Sequence, residues 1–324
     1  MHQDSERRIL GCLKGIATGD AIGKQTEGLS AADVHRWYPD GIRGFEGSTG
    51  SPIPRYLGNR KRKWRIGETT DDTERTIAVA RAILEDGDVR HVTVGRELLT
   101  CEKCVHPGIQ SLWEFHQAGD PGRVARRHDG CGAAVRVAPV GIRYASDRLD
   151  DIVRGATEAS IPTHGGVLGI VAAAATAASV SAAIDGASPV EMIDLAQRAA
   201  AQAEVQYAGS PDAAFATALR TIRDDLAGCS PLQPAEIAAR YFPRSPLTIV
   251  PLALALGAVM QSAEAAILLA ANVGGDSDSV ASIVGAILGA RFPDSVNDGW
   301  YSVVEQVNAH GLASLARNLT SLRG

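Results

Sequence analysis

An all-α fold is predicted by three observations. Apolar residues recur with the period of a helix along most of the chain, strand-like alternation is nearly absent, and the composition is that of helix packed on helix. Of 324 residues 45% are hydrophobic but only 5% aromatic, and glycine alone numbers 34. A core of that kind is built from small side chains on closely approaching backbones. The length can fill such a core, and no low-complexity linker, composition shift or internal repeat divides it, so one compact multi-helical domain over 1–324 is expected.

The first helix is expected over 5–23, where Gly11, Gly15, Gly19 and Gly23 recur every four residues and share one face. Asp20 inside that stripe and Glu27 just beyond it are its polar exceptions; a carboxylate brought against a tightly packed interior is a candidate for acid–base work. A loop follows, with "SPIP" at 51–54 and the basic run "RKRKWR" at 60–65, which reads as a solvated loop. The second helix is expected over 73–86. Thr70 is a good N-cap for it, and Asp71 and Asp72 suit the positive end of its dipole. Neighbours in a first turn point about 100° apart, however, so capping explains one Asp better than two.

Further helices are expected over 91–100, 108–118, 121–128, 148–158 and 165–184. The last covers the most apolar run, "GGVLGIVAAAATAASVSAAI", which reaches membrane-spanning length but is Ala-rich and weakly hydrophobic, and so reads as a buried helix. Helices over 189–206, 212–227 and 234–241 lead to "FPRSP" at 242–246, where proline blocks continuation. The series closes with 247–257, 262–271, 279–290 and 299–320.

A net charge of -5 provides no field to gather nucleic acid or anionic lipid. The start, "MHQDSERRIL", does not read as a signal peptide, and five cysteines, an odd number, argue against a disulfide framework. A cytoplasmic protein is expected, monomeric by default, with no nucleic-acid or membrane partner. "CEKCVHP", with Cys101 and Cys104, has zinc-like spacing and is followed by His116, His128 and Cys131, but without a second paired motif thiols that simply pack are the expectation.

A second acidic cluster stands in "ANVGGDSDSVASIVGAILGARF", with Asp276 and Asp278 between Ser277 and Ser279 at the start of a small-residue helix. Counted from Asp276, the sixth residue is Ala281 and the twelfth Ile287, so this is no EF-hand; no Gly-Lys-Ser/Thr follows the glycines, so it is no P-loop. Two helix N-termini, each with Asp and a hydroxyl residue, can converge on metal. Oxygen donors without His or Cys select hard cations, magnesium or manganese over zinc. Four carboxylates, Asp71, Asp72, Asp276 and Asp278, could balance two divalent ions, whereas one would leave negative charge in excess.

With "GDAIGKQTE", "TDDT", "GCGAAVR", "TH" at 163–164 and "GGDSDS" in this order, the chain resembles the ADP-ribosylglycohydrolase family from about residue 8 to 292. The resemblance implies an all-α fold around a binuclear site for two Mg2+ or Mn2+, with Thr70, Asp71 and Asp72 as one ligand group and Asp276, Asp278 and Ser279 as the other. Serine stands at 279 where members usually have threonine, and keeps the ligating oxygen. Glu27 matches a glutamate associated with substrate handling and catalysis. Gly130, Cys131, Gly132 and Ala133 fall in the glycine loop that cradles a diphosphate by its backbone, and His164 matches a residue near the bound nucleotide or ribose. Here the chain departs from the pattern: Asp129-Gly130-Cys131-Gly132 stands where many members have Ser-Gly-Asn-Gly, and a carboxylate at Asp129 would repel a diphosphate unless it turned away or paired with Arg126 or Arg127.

Together these readings lead to metal-dependent hydrolysis of the bond to ribose C1, with Glu27, Asp72 and Asp278 as catalytic residues and Asp20, the glycine loop and His164 binding substrate. The expected substrate is an ADP-ribosylated protein or a small ADP-ribosyl compound. A nucleoside or nucleotide N-glycoside, or a non-catalytic ADP-ribose-binding role on the same fold, are the alternatives.

Overall fold

The longest helix-on-helix seam in the protein joins the two regions that carry the glycine stripe and the second acidic cluster, which lie at opposite ends of the chain. The computed structural model describes residues 2–57, 63–103, 109–209 and 213–324. Within them the α-helices are, in order, α1 (His2–Gly23), α2 (Ala31–Trp37), α3 (Asp71–Asp86), α4 (His91–Leu98), α5 (Gln110–Ala118), α6 (Gly132–Arg136), α7 (Ala138–Arg143), α8 (Leu149–Ser160) and α9 (Val167–Ile184). They continue with α10 (Pro189–Ala208), α11 (Ala214–Ala227), α12 (Pro234–Tyr241), α13 (Pro246–Val259), α14 (Ala263–Val273), α15 (Ser277–Arg291), α16 (Asp298–Asn308) and α17 (Leu312–Thr320). The only strand-like pairing among the described residues is a single antiparallel bridge between Pro52 and Arg65.

α1 and α15 run antiparallel with their backbones in contact. A Cβ added at Gly11 would stand 2.1 Å from the Gly289 carbonyl oxygen, one at Gly15 2.0 Å from that of Gly285, and one at Gly19 2.2 Å from that of Ala281. Only glycine fits these positions. Each costs a helix up to ~1 kcal/mol of intrinsic propensity, which the close packing must offset. The last glycine of the stripe, Gly23, meets Ser277 and Asp278 at the mouth of α15. The seam therefore sets the second acidic cluster against the turn that follows α1.

The apolar run forms α9, whose eighteen residues have a mean hydropathy of 2.1 and are 89% buried. It packs against α10, α7, α8, α6 and α15. Burial on all sides suits a helix that is apolar on all sides.

Four local expectations are corrected. Residues 121–128 are not helical: Ala125 N–H donates to Ile161 O and Gly165 N–H to Arg127 O, so this stretch pairs with the loop after α8. The span 299–320 is two helices, divided where Ala309 and Gly311 take positive φ. The short α2, capped by Ser30, was not foreseen. Nor were α6 and α7, which break apart at Val137 as Pro139 begins the next helix.

Replacing Gly15 by alanine should cost about 1–3 kcal/mol or more, because a Cβ cannot enter the seam without separating two backbones. Gly228→Ala, where the nearest atom to a new Cβ is 3.6 Å away, should be close to neutral. Urea unfolding of both variants measures the contrast.

Candidate active site

Both acidic helix mouths are held by α1. The Asp20 carboxylate accepts the Thr70 N–H at 2.9 Å, the Thr73 N–H at 3.1 Å and the Thr73 hydroxyl at 2.5 Å. It therefore serves as a cap supplied from another helix to the N-terminus of α3. Asp20 is fully buried and does not line the cavity described below, so its expected contact with substrate is corrected: it holds Thr70 and Thr73 at the mouth of α3. Burial raises its pKa, against the lowering by its threonine donors.

The turn after α1 is stitched to the mouth of α15. The Ser277 hydroxyl donates to Gly23 O at 2.9 Å, Gly28 N–H to Gly275 O at 2.7 Å and Gly275 N–H to Leu29 O at 2.9 Å. Gly275 takes positive φ, and a Cβ there would stand 2.4 Å from Pro243 O. Asp276 N–H donates to that same carbonyl at 2.8 Å.

α3 and α15 then meet tip to tip. The Ser279 hydroxyl donates to Asp72 Oδ2 at 3.1 Å. A cavity of about 600 Å³ opens on this junction, lined by Glu27, Asp71, Asp72, Gly130, Cys131, Gly132, His164, Asp276, Asp278 and Ser279, all expected from the sequence. Thr70 and Ala133 lie behind it. The Thr70 side-chain oxygen caps α3 by accepting the Asp72 N–H at 3.1 Å, and it retains a second lone pair.

Two cations that the sequence reading did not place are seated among these carboxylates. Arg75 donates to Asp71 at 2.5 Å and to Asp72 at 2.7 Å, and is fixed by Asp71 O at 2.9 Å and Gly132 O at 3.3 Å. Lys24 pairs with Glu27, lies 3.5 Å from Asp278 and stacks over Trp64, 4.5 Å from the ring centroid. Their positions, three or four residues from their acidic partners, were the available signal. Burial and the neighbouring carboxylates raise the pKa of Asp72 and of Asp278 well above the ordinary value, with Arg75 and Lys24 opposing. Among the described residues no three His, Cys, Asp or Glu side chains are gathered to hold an ion as they stand. The donor set nonetheless fits a hard divalent cation: it is buried, rich in carboxylate oxygen and holds more acids than bases.

On the other side of the cavity, Asp129 is part of the lining, with one carboxylate oxygen committed to a neighbouring helix. Its Oδ1 accepts the Leu168 N–H at 2.9 Å, capping α9, whose own N-cap, Gly166, has no side chain. It pairs with neither Arg126 nor Arg127. Gly132 could carry no Cβ, which would meet Arg75 and the His164 ring at 2.8 Å. His164 exchanges a hydrogen bond with the Thr163 hydroxyl at 2.7 Å; burial, then Arg136 and Arg75, push its pKa well below the ordinary value, so the ring is neutral. Cys131 Sγ lies 3.2 Å from Asp276 Oδ2.

The remaining wall includes His128, which the sequence offered only beside the zinc-like cysteines, and Ile109, Gln110, Ser111, Phe242, Pro243 and Arg244, none of which carried a sequence signal of a site. The zinc reading of Cys101 and Cys104 gains no support: Cys104 lies outside the described residues, His128 is paired with Glu114 at 3.2 Å, and Cys131 faces Asp276. Of the basic run, residues 60–62 also lie outside the described residues, while Lys63 and Arg65 border a different cleft.

The family model described as ADP-ribosylglycohydrolase matches residues 1–324. An uncharacterised protein of Archaeoglobus fulgidus is 28% identical over 299 residues, 88% of each chain. The uncharacterised protein YegU of Escherichia coli is 29% identical over 307 residues, 87% of each. The human ADP-ribosylhydrolase ARH3 is 23% identical over 336 aligned positions, covering 92% of this chain and 89% of its own. A solved structure described as an ADP-ribosylglycohydrolase-related protein complex superposes with a TM-score of 0.74 at 23% identity, covering 99% of this chain and all of the other, a likeness of fold.

Asp129→Ala should cost about 1 kcal/mol by uncapping α9, and Asp129→Asn less, since its amide oxygen still accepts. Thermal and urea unfolding of the two variants test the assignment.

Proposed function

The chain belongs to the ADP-ribosylglycohydrolase family, whose members are hydrolases acting on glycosidic bonds, and we propose that it cleaves, with a hard divalent cation, the bond to ribose C1 of an ADP-ribosyl conjugate. The observation that carries this reading is the meeting of two acidic helix mouths in one cavity, Ser279 Oγ against Asp72 Oδ2 at 3.1 Å. Thr70, Asp71 and Asp72 from one helix mouth and Asp276, Asp278 and Ser279 from the other would hold the metal, which would supply charge to orient vicinal ribose hydroxyls and acidify water.

Glu27 lines the cavity at its edge. Its Oε2 is held by Lys24, and its Oε1 has no partner among the described residues. That oxygen is placed to bind a ribose hydroxyl or to exchange a proton with the atom leaving C1 as water adds there. The bond from C1 to the leaving nitrogen or oxygen breaks, the water oxygen joins C1, and the leaving atom departs protonated. Neutral His164 can give or accept a hydrogen bond toward the ribose without adding charge.

The rest of the cavity supports the larger substrate over a bare nucleoside. Asp129 caps α9 with one oxygen, which offsets part of its repulsion of a diphosphate at the glycine loop. Arg244 adds a cation to the rim, and Phe242 with Ile109 offers an apolar face for a base.

Incubated with Mg2+ or Mn2+ and peptides carrying arginine- or serine-linked ADP-ribose, the protein should release free ADP-ribose, read by mass spectrometry. Chelation should abolish release and added metal restore it. Asp278→Asn should lower turnover by roughly 100-fold or more while the helical spectrum is retained. Full turnover in that variant would remove Asp278 from the assignment.

A further inference from the structure

The helix that carries the first acidic mouth has a different character on its other face. α3 turns Asp71, Asp72 and Arg75 toward the acidic cavity, and Glu74, Ile77, Ala78 and Arg81 toward a separate cleft of about 620 Å³. Lys63 and Arg65 line that cleft from the loop before α3, Lys103 from the segment after α4, and Asn308 and His310 from the end of α16 and the turn beyond it. Its volume falls within the range of roughly 300–1,000 Å³ usual for small-molecule sites.

Four cations, Lys63, Arg65, Arg81 and Lys103, line this cleft against two acids, Glu68 and Glu74. The acids are already engaged. Glu74 accepts the Glu102 and Lys103 N–H groups, one on each oxygen, at 3.1 and 2.9 Å, and Glu68 accepts the Arg65 N–H at 3.0 Å. Glu305, the acid nearest His310 on α16, uses both oxygens on the Gly311 and Leu312 N–H groups, and with it counted the cations still lead by four to three. By contrast, the exposed side chains of Lys63, Arg65 and Arg81 have no hydrogen-bond or ion-pair partner among the described residues. Burial and then Lys103 push the His310 pKa down to about 4, with Glu305 opposing and Arg81 adding, so the ring sits in a net positive field.

We infer that this cleft is a second binding site, for a small phosphorylated anion held through its phosphate oxygens by Lys63, Arg65 and Arg81. Arginine forks match phosphate oxygens two at a time, and a lysine adds a flexible point charge. Ile77, Ala78 and Val307 offer an apolar surface to the rest of such a molecule. A closed cleft on a chain of net charge -5 suits a small ligand and not a nucleic-acid strand. Its base is firm: Lys103 Nζ donates to Thr69 O at 2.5 Å, and the Thr69 hydroxyl shares a hydrogen bond with His310 Nε2 at 2.9 Å. Thr69 directly precedes the N-cap of α3, yet the cleft and the acidic cavity have no lining residue in common. The inference therefore stands apart from the metal-dependent reading above.

The test is calorimetric titration of the full chain with inorganic pyrophosphate and, separately, with ADP, in buffer free of divalent ions. Saturable binding of one pyrophosphate per chain is the expected result. The double variant Lys63→Gln with Arg81→Gln should weaken it by about tenfold or more, whereas Arg244→Gln, on the rim of the acidic cavity, should leave it unchanged. Both substituted side chains are exposed, so the helical spectrum should be kept; Arg81→Glu alone provides a second variant with the same expected loss. Equal affinity for the two ligands would support recognition of the phosphate groups themselves, and tighter ADP binding that the double variant also weakens would support a nucleotide. No binding of either ligand, binding that the double variant keeps, or binding that Arg244→Gln removes would overturn the inference and leave the proposed function standing.

Discussion

The site depends on one contact, the backbone-to-backbone seam between α1 and α15. Because Gly11, Gly15 and Gly19 leave no side chain between the two helices, the register is set by carbonyl oxygens and not by adaptable rotamers. That register fixes where Ser277 and Asp278 stand relative to Gly23, and hence where the turn bearing Lys24 and Glu27 can go. Asp20, one turn before the end of α1, reaches to α3 and fixes the other acidic mouth. A single helix thus carries both halves of the site, and the carboxylates approach one another because their helices cannot do otherwise.

Such an approach is opposed by electrostatics. Burial disfavours a charged acid and neighbouring acids repel, and the raised pKa values of Asp72 and Asp278 express both, burial first. The protein meets it with helix dipoles, backbone donors and two buried cations. The arrangement leaves the acids on the α15 side less closely countered than those of α3.

Much of this was legible. The glycine spacing and the paired acids at helix starts are local patterns, and they named the acidic half of the cavity lining but not the wall from Ile109 to Ser111 and from Phe242 to Arg244. What could not be read were long-range partnerships. Asp20 looks from its own neighbourhood like an acid–base group, and only the position of α3 makes it a cap. Asp129 looks like a charge beside a phosphate loop, and only the bare N-terminus of α9 explains it. Arg75, one turn after Asp71, reads as an ordinary helix-surface pair until its burial is known. The expected helix at 121–128 failed for the same reason: close packing of Gly165 against Ala125 O overrides the local pattern.

The seam has a temporal consequence. During synthesis the glycine face of α1 is made long before the helix that covers it, since among the described residues thirteen other helices come between α1 and α15. Until residues 277–291 leave the ribosome, the groove has no occupant, Asp278 is absent, and neither Lys24 nor Glu27 has its anchor. Contacts of such long separation are slow to close. The acid cluster therefore cannot assemble until α1, α3 and α15 have all been made and have met.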